Sequence, residues 1–593
     1  MSAVQETSIE ATVLADVSAD KTWATVEALS NTIRLSGSED EAKAITYLIE
    51  SLTEYRVDYT LHTPTLFVSW PLAASLRVLG ADGYAVTAKT PAMSISTNGE
   101  EIEGELVYVP TGQSKSMTTL FQSIDLGDLD LTGKVVITEG LPMPGKVAEV
   151  TRAGAKAAVF ICPGERIHEG VCTTIWGSPD LDSMDRQPRL PILAVNSSEG
   201  AKLIESTKAG PTEIAFSTTL DTQWREIPIL EATIEGKAAP NEFVLVHGHL
   251  DGWHYGIGDN LTGVATLLEL ARIFKAHEGD LKRTVKFAWW SGHSHGRYAG
   301  STWYADTFAI DLAENCVTQV DCDSPGCRWT TVFTDVMWTE ETGPVVKQAI
   351  KDITGETASW ARPLRAGDYS FNNIGISGYL MLSSTMSEEL RAEKGYYSVG
   401  GCGGNIAWHT EDDTLEIGDK DNLGRDVKVY VAAVLRVVNA AVPPFDFRLT
   451  LDSFESTIAS YQSVAGDRFD FSPALDDIAA VRSDFDAFYA RIDALEDADA
   501  GDPQAQAASR AQRQLARILV PVNYAREARF RQDPAETVRP LPDLAVVSRV
   551  VAREPGSHEA HAGVISLQRG LNRVRWAIRQ AGAVVRGEKA LDA

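Results

Sequence analysis

The sequence predicts an α/β fold, a sheet with flanking helices, joined to a β-rich region and a helical region. Three observations carry this. The apolar run Phe243–Val246 leads through a polar loop into Val264, Leu267, Leu268 and Ala271 at helical spacing, the strand–loop–helix unit of a parallel sheet. Cys316–Cys322 is a second strand-like run, and it too ends in a carboxylate-bearing loop. The chain of 593 residues is too long for one core and implies three to four domains.

In chain order, Lys21–Leu52 reads as two helices, the second opened by SGSEDEA. A β-rich stretch follows to about Gln223, built from GELVYVP, LTGKVVITEG, VAEVTRAGAKAAVFI and LPILAVNSSEGAKLI. The α/β part resumes at residue 226. Its strand Phe243–Val246 ends in His247-Gly248-His249-Leu250-Asp251, and the loop Gly256–Asn260 precedes a helix starting near Thr262. Cys316–Cys322 alternates like a strand and stops at Asp323, where Pro325-Gly326 forces a turn. In Gly400–Asp413, GGCGGNIAWHTEDD, the glycines let the backbone bend around His409. Pro443-Pro444 breaks a long helix near Ala441. The remainder is Ala- and Arg-rich, with helical periodicity in Ala507–Leu519 and Val564–Ala583. The expected divisions are residues 1–70, 71–225, 226–445 and 446–593.

The loops carry the chemistry. Imidazole and carboxylate are the usual zinc ligands where a coordination position stays open for water or substrate. His249 and Asp259 suit that role, and Asp251, two residues past His249, can orient the imidazole. The plainer reading is a solvated His249 and a helix-capping Asp259. Six of the eleven histidines lie from His247 to His295, a density that favours a site over scattered surface residues. His277 is the expected outlier, while His247 and His254 fit either reading.

Composition excludes several classes. A net charge of −28 argues against nucleic acid and against an anionic membrane surface. No apolar run reaches membrane length, and the N-terminus is polar and acidic, so a cytoplasmic location is expected. Six cysteines give no disulfide framework and no CxxC pair, so Cys316, Cys322 and Cys327 read as buried strand thiols. From Gly501 onward there are 15 Lys+Arg against 9 Asp+Glu. A basic tail on an acidic body suggests that the two pack together, within or between subunits.

Together these pieces resemble the co-catalytic zinc aminopeptidase and glutamate carboxypeptidase family, which includes the transferrin receptors. The resemblance implies a zinc-exopeptidase-like fold with a central mixed sheet. Residues 71–225 would be an inserted protease-associated domain, and residues 446–593 a helical dimerisation domain. It also implies His249 as a ligand, Asp251 as its orienter, Asp259 as a carboxylate bridging two metals, and Asp323 and His409 as one ligand for each metal. Asp413 closes the HTxxD segment.

The departure lies in a glutamate pair that the family places in W-x-x-E-E-x-G. Here the segment is Trp290-Ser291-Gly292-His293-Ser294-His295-Gly296, one residue longer up to Gly300-Ser301. Counted from Trp290, His293 and Ser294 replace the pair. Counted back from Gly300, Ser294 and His295 do. Histidine can serve as ligand or base, and serine does neither well at neutral pH. The preferred reading makes His295 a ligand and His293 the acid/base, with the extra residue in a bulge. The other readings are a single metal with both histidines handling protons or substrate, and a dead site. By the same resemblance the segment before the last ligand borders the substrate, which brings in Arg365, Asp368 and Tyr397, with Arg365 placed to clamp a carboxylate; a surface salt bridge is the plainer role for Arg365, and His254, from the histidine cluster, is a further candidate at the substrate.

The function expected is metal-dependent cleavage of a C–N bond in a small amino-acid-like or short peptide substrate. One or two divalent ions would assist, zinc first, with manganese, nickel or cobalt as alternatives. The runner-up is elimination or isomerisation on the same scaffold, and the third reading is an inactive binding protein. A homodimer is expected from the helical region.

Overall fold

A computed structural model describes residues 8–588; the first seven residues of the expected N-terminal segment and the last five of the helical one lie outside it. Two seven-stranded sheets organise the chain. The first runs in the order Asp58–His62, Ile229–Ile234, Arg283–Trp290, Ala239–His249, Cys316–Asp321, Gly378–Leu380, Met337–Trp338. Its central four strands are parallel and the outer pairings antiparallel, so the sheet is mixed. Helices Glu39–Tyr55, Thr262–Ala276 and Lys420–Asn439 cover it. Each starts or stops for a local reason. The Ser38 hydroxyl accepts the Glu41 amide at the start of Glu39–Tyr55, and Arg56 ends that helix in the left-handed region. Asp419 caps Lys420–Asn439, which ends just ahead of Pro443.

Cys316–Asp321 was expected to alternate. All six residues are buried, because the strand is internal to the sheet and covered on both faces. All six cysteines are free and buried. The parallel strands all point the same way, which places His249, the loop after Trp290 and Asp323 at one edge.

The second sheet has the order Ala85–Val86, Thr65–Val78, Thr212–Glu226, Ile102–Tyr108, Val135–Glu139, Ala157–Ile161, Ile192–Val195. Its longest pairing is an antiparallel ladder from Thr65 opposite Glu226 to Val78 opposite Ile214. The ladder begins at Thr65, several residues before the expected start at 71.

Residues 448–585 form the helical region, with Arg448–Ala465, Ser472–Asp493, Pro503–Tyr524 and His558–Val585 as its long members. Its apolar faces belong to the same continuous core as the first sheet: Leu515, Leu519 and Ile578 share it with Val244 and Val320. Its basic residues reach into the acidic body. Arg513 Nη1 lies 2.5 Å from Glu242 Oε1, and Arg283 Nε is 2.8 Å from the other oxygen of that carboxylate. Arg517 is buried and donates to the carbonyls of Leu312, Ala313, Cys316 and Gly375. Among the described residues no helix is long and apolar enough to cross a membrane.

Candidate active site

His249, Asp259 and Asp323 each offer one atom to a group whose members lie within 4.8 Å of one another. His249 Nε2 is 2.9 Å from Asp259 Oδ1 and 3.8 Å from Asp323 Oδ2. The other oxygen of Asp259 is 3.1 Å from His409 Nε2. His249 Nδ1 lies 2.7 Å from the Asp251 carbonyl, and His409 Nδ1 lies 3.0 Å from the Glu169 carbonyl. A carbonyl only accepts, so both Nδ1 atoms carry a proton, and both Nε2 atoms turn toward Asp259.

His249 Nε2 and Asp259 Oδ1 are buried and lack a hydrogen bond, despite their closeness. Ligand-type atoms within 4.8 Å of one another, with orphaned buried atoms among them, fit a divalent cation. The electrostatics agree. Burial disfavours the charged His249 ring, yet the carboxylates facing it lift its pKa well above the histidine range. Burial and Asp259 push Asp323 well above the carboxylate range. Asp413 accepts the amides of Gly258 and Asp259 and so fixes the loop that presents Asp259; burial raises its pKa to about 6.

Asp251 anchors the loop after Trp290. Its carboxylate accepts Ser36 Oγ at 2.5 Å, the Ser294 amide at 2.8 Å and the His293 amide at 3.3 Å. Burial opposes its charge, but His295, His249 and His293 hold its pKa below the usual range. It was expected to orient His249 through this carboxylate. That is corrected: the carboxylate lies 4.0 Å from Nδ1, and the backbone carbonyl does the orienting.

His293 turns into the site. Its ring stacks on His249 at 3.7 Å and 10°. Its Nδ1 is 2.8 Å from Asp368 Oδ2, and Ser301 Oγ donates to Asp368 Oδ1 at 2.7 Å. Although burial opposes it, His293 keeps the Asp368 pKa below the usual range. His295 turns the other way. Its fully buried ring packs on Trp253 at 4.3 Å, and its Nδ1 is 3.1 Å from Ser36 Oγ. It stands outside the group of His249, Asp259 and Asp323, as His409 does, and its Nε2 is buried without a partner. The cause is local: Asp251 captures the Ser294 amide, and the chain then turns through left-handed Arg297 and Tyr298. Ser294 Oγ is buried without a partner.

The expected substrate residues are occupied elsewhere. Arg365 donates to the carbonyls of Asp533, Pro534 and Tyr369 and to the Gln532 side chain, with its guanidinium 3.7 Å over Trp176. It ties down the helical region and is not free to clamp a carboxylate. Asp368 serves His293. The Tyr397 hydroxyl bonds His168 Nε2 at 2.7 Å. His254 Nε2 is 3.2 Å from Glu169, and Lys89 bridges Glu169 and Glu411 at 2.8 and 2.5 Å. His254, Glu169 and Glu411 have metal-like spacing, but the Lys89 ammonium supplies their countercharge.

Sequence reasoning named no residue of the β-rich region at the site. Arg166 pairs bidentately with Asp412, His168 Nδ1 is 2.6 Å from the Trp408 carbonyl, and the Glu169 amide donates to the His409 carbonyl at 2.8 Å. The run Arg166–Glu169 thus grips the run Trp408–Asp412. Ser36, from the N-terminal segment, was also missed. Neither carried a pattern that the sequence could reveal.

The parallel strands of the mixed sheet deliver histidine and carboxylates to one edge, where ligands of such sheets bind. Residues 230–434 match the model of Peptidase family M28. Among curated relatives, a probable glutamate carboxypeptidase of Zea mays is 22% identical over 51% of this chain and 50% of its own length. Carboxypeptidase Q of Xenopus laevis is 24% identical over 46% of this chain and 58% of its own. The chain thus spans about half the length of these relatives. Among solved structures, an aminopeptidase from Aneurinibacillus sp. strain AM-1 has a TM-score of 0.54 at 19% identity, covering 72% of this chain and 95% of its own. A zinc aminopeptidase from Bacillus subtilis gives 0.52 at 17%, covering 70% and 95%. These likenesses establish the fold.

Proposed function

We propose that the chain is a metal-dependent hydrolase that cleaves an amide or peptide C–N bond in a small amino-acid-like or short peptide substrate. The observation that carries this reading is the convergence of His249 Nε2, Asp259 and Asp323, with His409 on the second oxygen of Asp259. These four would hold the metal, zinc by the chemistry of the donors. When bound it supplies Lewis-acid polarisation of the carbonyl and activation of water. The β-rich region is assigned as the protease-associated type.

The chain's own residues move the proton. Asp368 takes the Nδ1 proton of His293 as a hydrogen bond, which leaves Nε2 with its lone pair beside the His249 ring. His293 Nε2 would accept a proton from the attacking water and return it to the departing nitrogen. Ser301 and Asp368 hold the ring in that attitude, and Asp251 fixes the backbone that carries it. A panel of dipeptides and N-acyl amino acids, incubated in ¹⁸O-water with zinc-loaded protein, tests the reaction class. One solvent oxygen should enter the new carboxylate. Turnover without that label would sink hydrolysis in favour of elimination or isomerisation.

A further inference from the structure

Arg297 is 6% exposed, and none of its guanidinium nitrogens has a hydrogen-bond or ion-pair partner among the described residues; Nε is fully enclosed. Other buried arginines here are satisfied, Arg283 and Arg513 by Glu242 and Arg365 and Arg517 by carbonyls. A guanidinium cannot shed its proton to escape burial. A mostly buried guanidinium whose one partner is an aromatic face is unfavourable, and an anion from outside the chain would relieve it.

Its position says what that is. Arg297 lies four residues past His293, with its guanidinium 4.9 Å over the Tyr298 ring. The same ring meets the edge of His293 at 4.7 Å, and His293 stacks on His249. On the other side Tyr298 stacks on Trp176 of the β-rich region at 4.3 Å, and the Arg297 carbonyl accepts the Gly177 amide. The cation and the proton-transfer histidine therefore pack on the same tyrosine ring, where the β-rich region meets the loop after Trp290. Arg365, a neighbour of like sign, adds to the positive field. We propose that Arg297 recognises a carboxylate on the substrate, which supplies the missing counter-ion; the substrate class is an acylated amino acid or short peptide with a free carboxylate. This rests on the peptidase reading of the adjoining site.

The test is equilibrium binding, so it does not depend on turnover. Zinc-loaded full-length protein is titrated calorimetrically with N-acetyl-Ala-Ala and with its C-terminal amide. Wild type should bind the acid about ten- to a hundredfold more tightly, the range for a charge-assisted hydrogen bond. Arg297→Met should abolish that preference and raise the melting temperature, because it removes an unpaired buried charge. Arg297→Lys should keep part of the preference. The proposal is overturned if acid and amide bind equally, if wild type binds neither at millimolar concentration, or if Arg297→Met keeps the preference. Tight acid binding without hydrolysis would support Arg297 while refuting the peptidase reading.

Discussion

At the scale of single residues, the site rests on which nitrogen of each histidine is free. His249 and His409 face carbonyls with Nδ1 and Asp259 with Nε2, and His293 spends Nδ1 on Asp368. Replacing His293 with alanine should lower turnover by about 10²–10⁴-fold, the usual contribution of a positioned acid/base, while bound metal stays constant. Asp368→Asn should cost about 10- to 100-fold, as for other orienting partners. Equal activity of His293→Ala and wild type would remove this residue from the mechanism. The sequence made His249, Asp259, Asp323 and His409 legible because each follows an apolar run or a glycine cluster, where a loop must carry polar groups. It could not reveal the His293–Asp368 pair, 75 residues apart, nor that His295 faces inward to Ser36. Those depend on how a loop folds back, which spacing does not encode.

At the scale of elements, the run Arg166–Glu169 sets the attitude of His409. His168 is buried between Trp408 and Tyr397, and burial lowers its pKa to about 4 from 6.5. The folded state therefore binds fewer protons than the unfolded chain between those values. Its contribution to stability is full above pH 6.5, falls as the pH drops toward 4, and amounts to about 3 kcal/mol over that window. Wild type should lose more thermal stability between pH 7 and pH 4.5 than His168→Gln does. Parallel melting curves for the two would contradict the buried neutral histidine. Strand and helix existence was largely readable from periodicity, as with the helix beginning at Thr262. The start of the long ladder at Thr65 was not, because exposed and buried residues mix along that strand.

At the scale of the whole molecule, the helical region and the first sheet share one core and one buried charge cluster. Glu242→Ala would leave Arg283 and Arg513 buried without their carboxylate and should cost about 3–5 kcal/mol, read as a melting temperature lower by several degrees. No change would mean that the two regions are less tightly joined than their contacts indicate. The terminal helix His558–Val585 exposes Ile565 and Trp576. A homodimer through that face, a proposal here, predicts twice the chain mass in light scattering at micromolar concentration.

The central claim is that His249, Asp259, Asp323 and His409 hold a divalent metal, and elemental analysis of the purified chain after zinc loading and desalting tests it most directly. About one to two zinc ions per chain are expected, lost on His249→Ala or Asp259→Ala and retained on His295→Ala. No retained metal in wild type, even after incubation with zinc, manganese, nickel or cobalt, or unchanged occupancy in His249→Ala, would contradict the account.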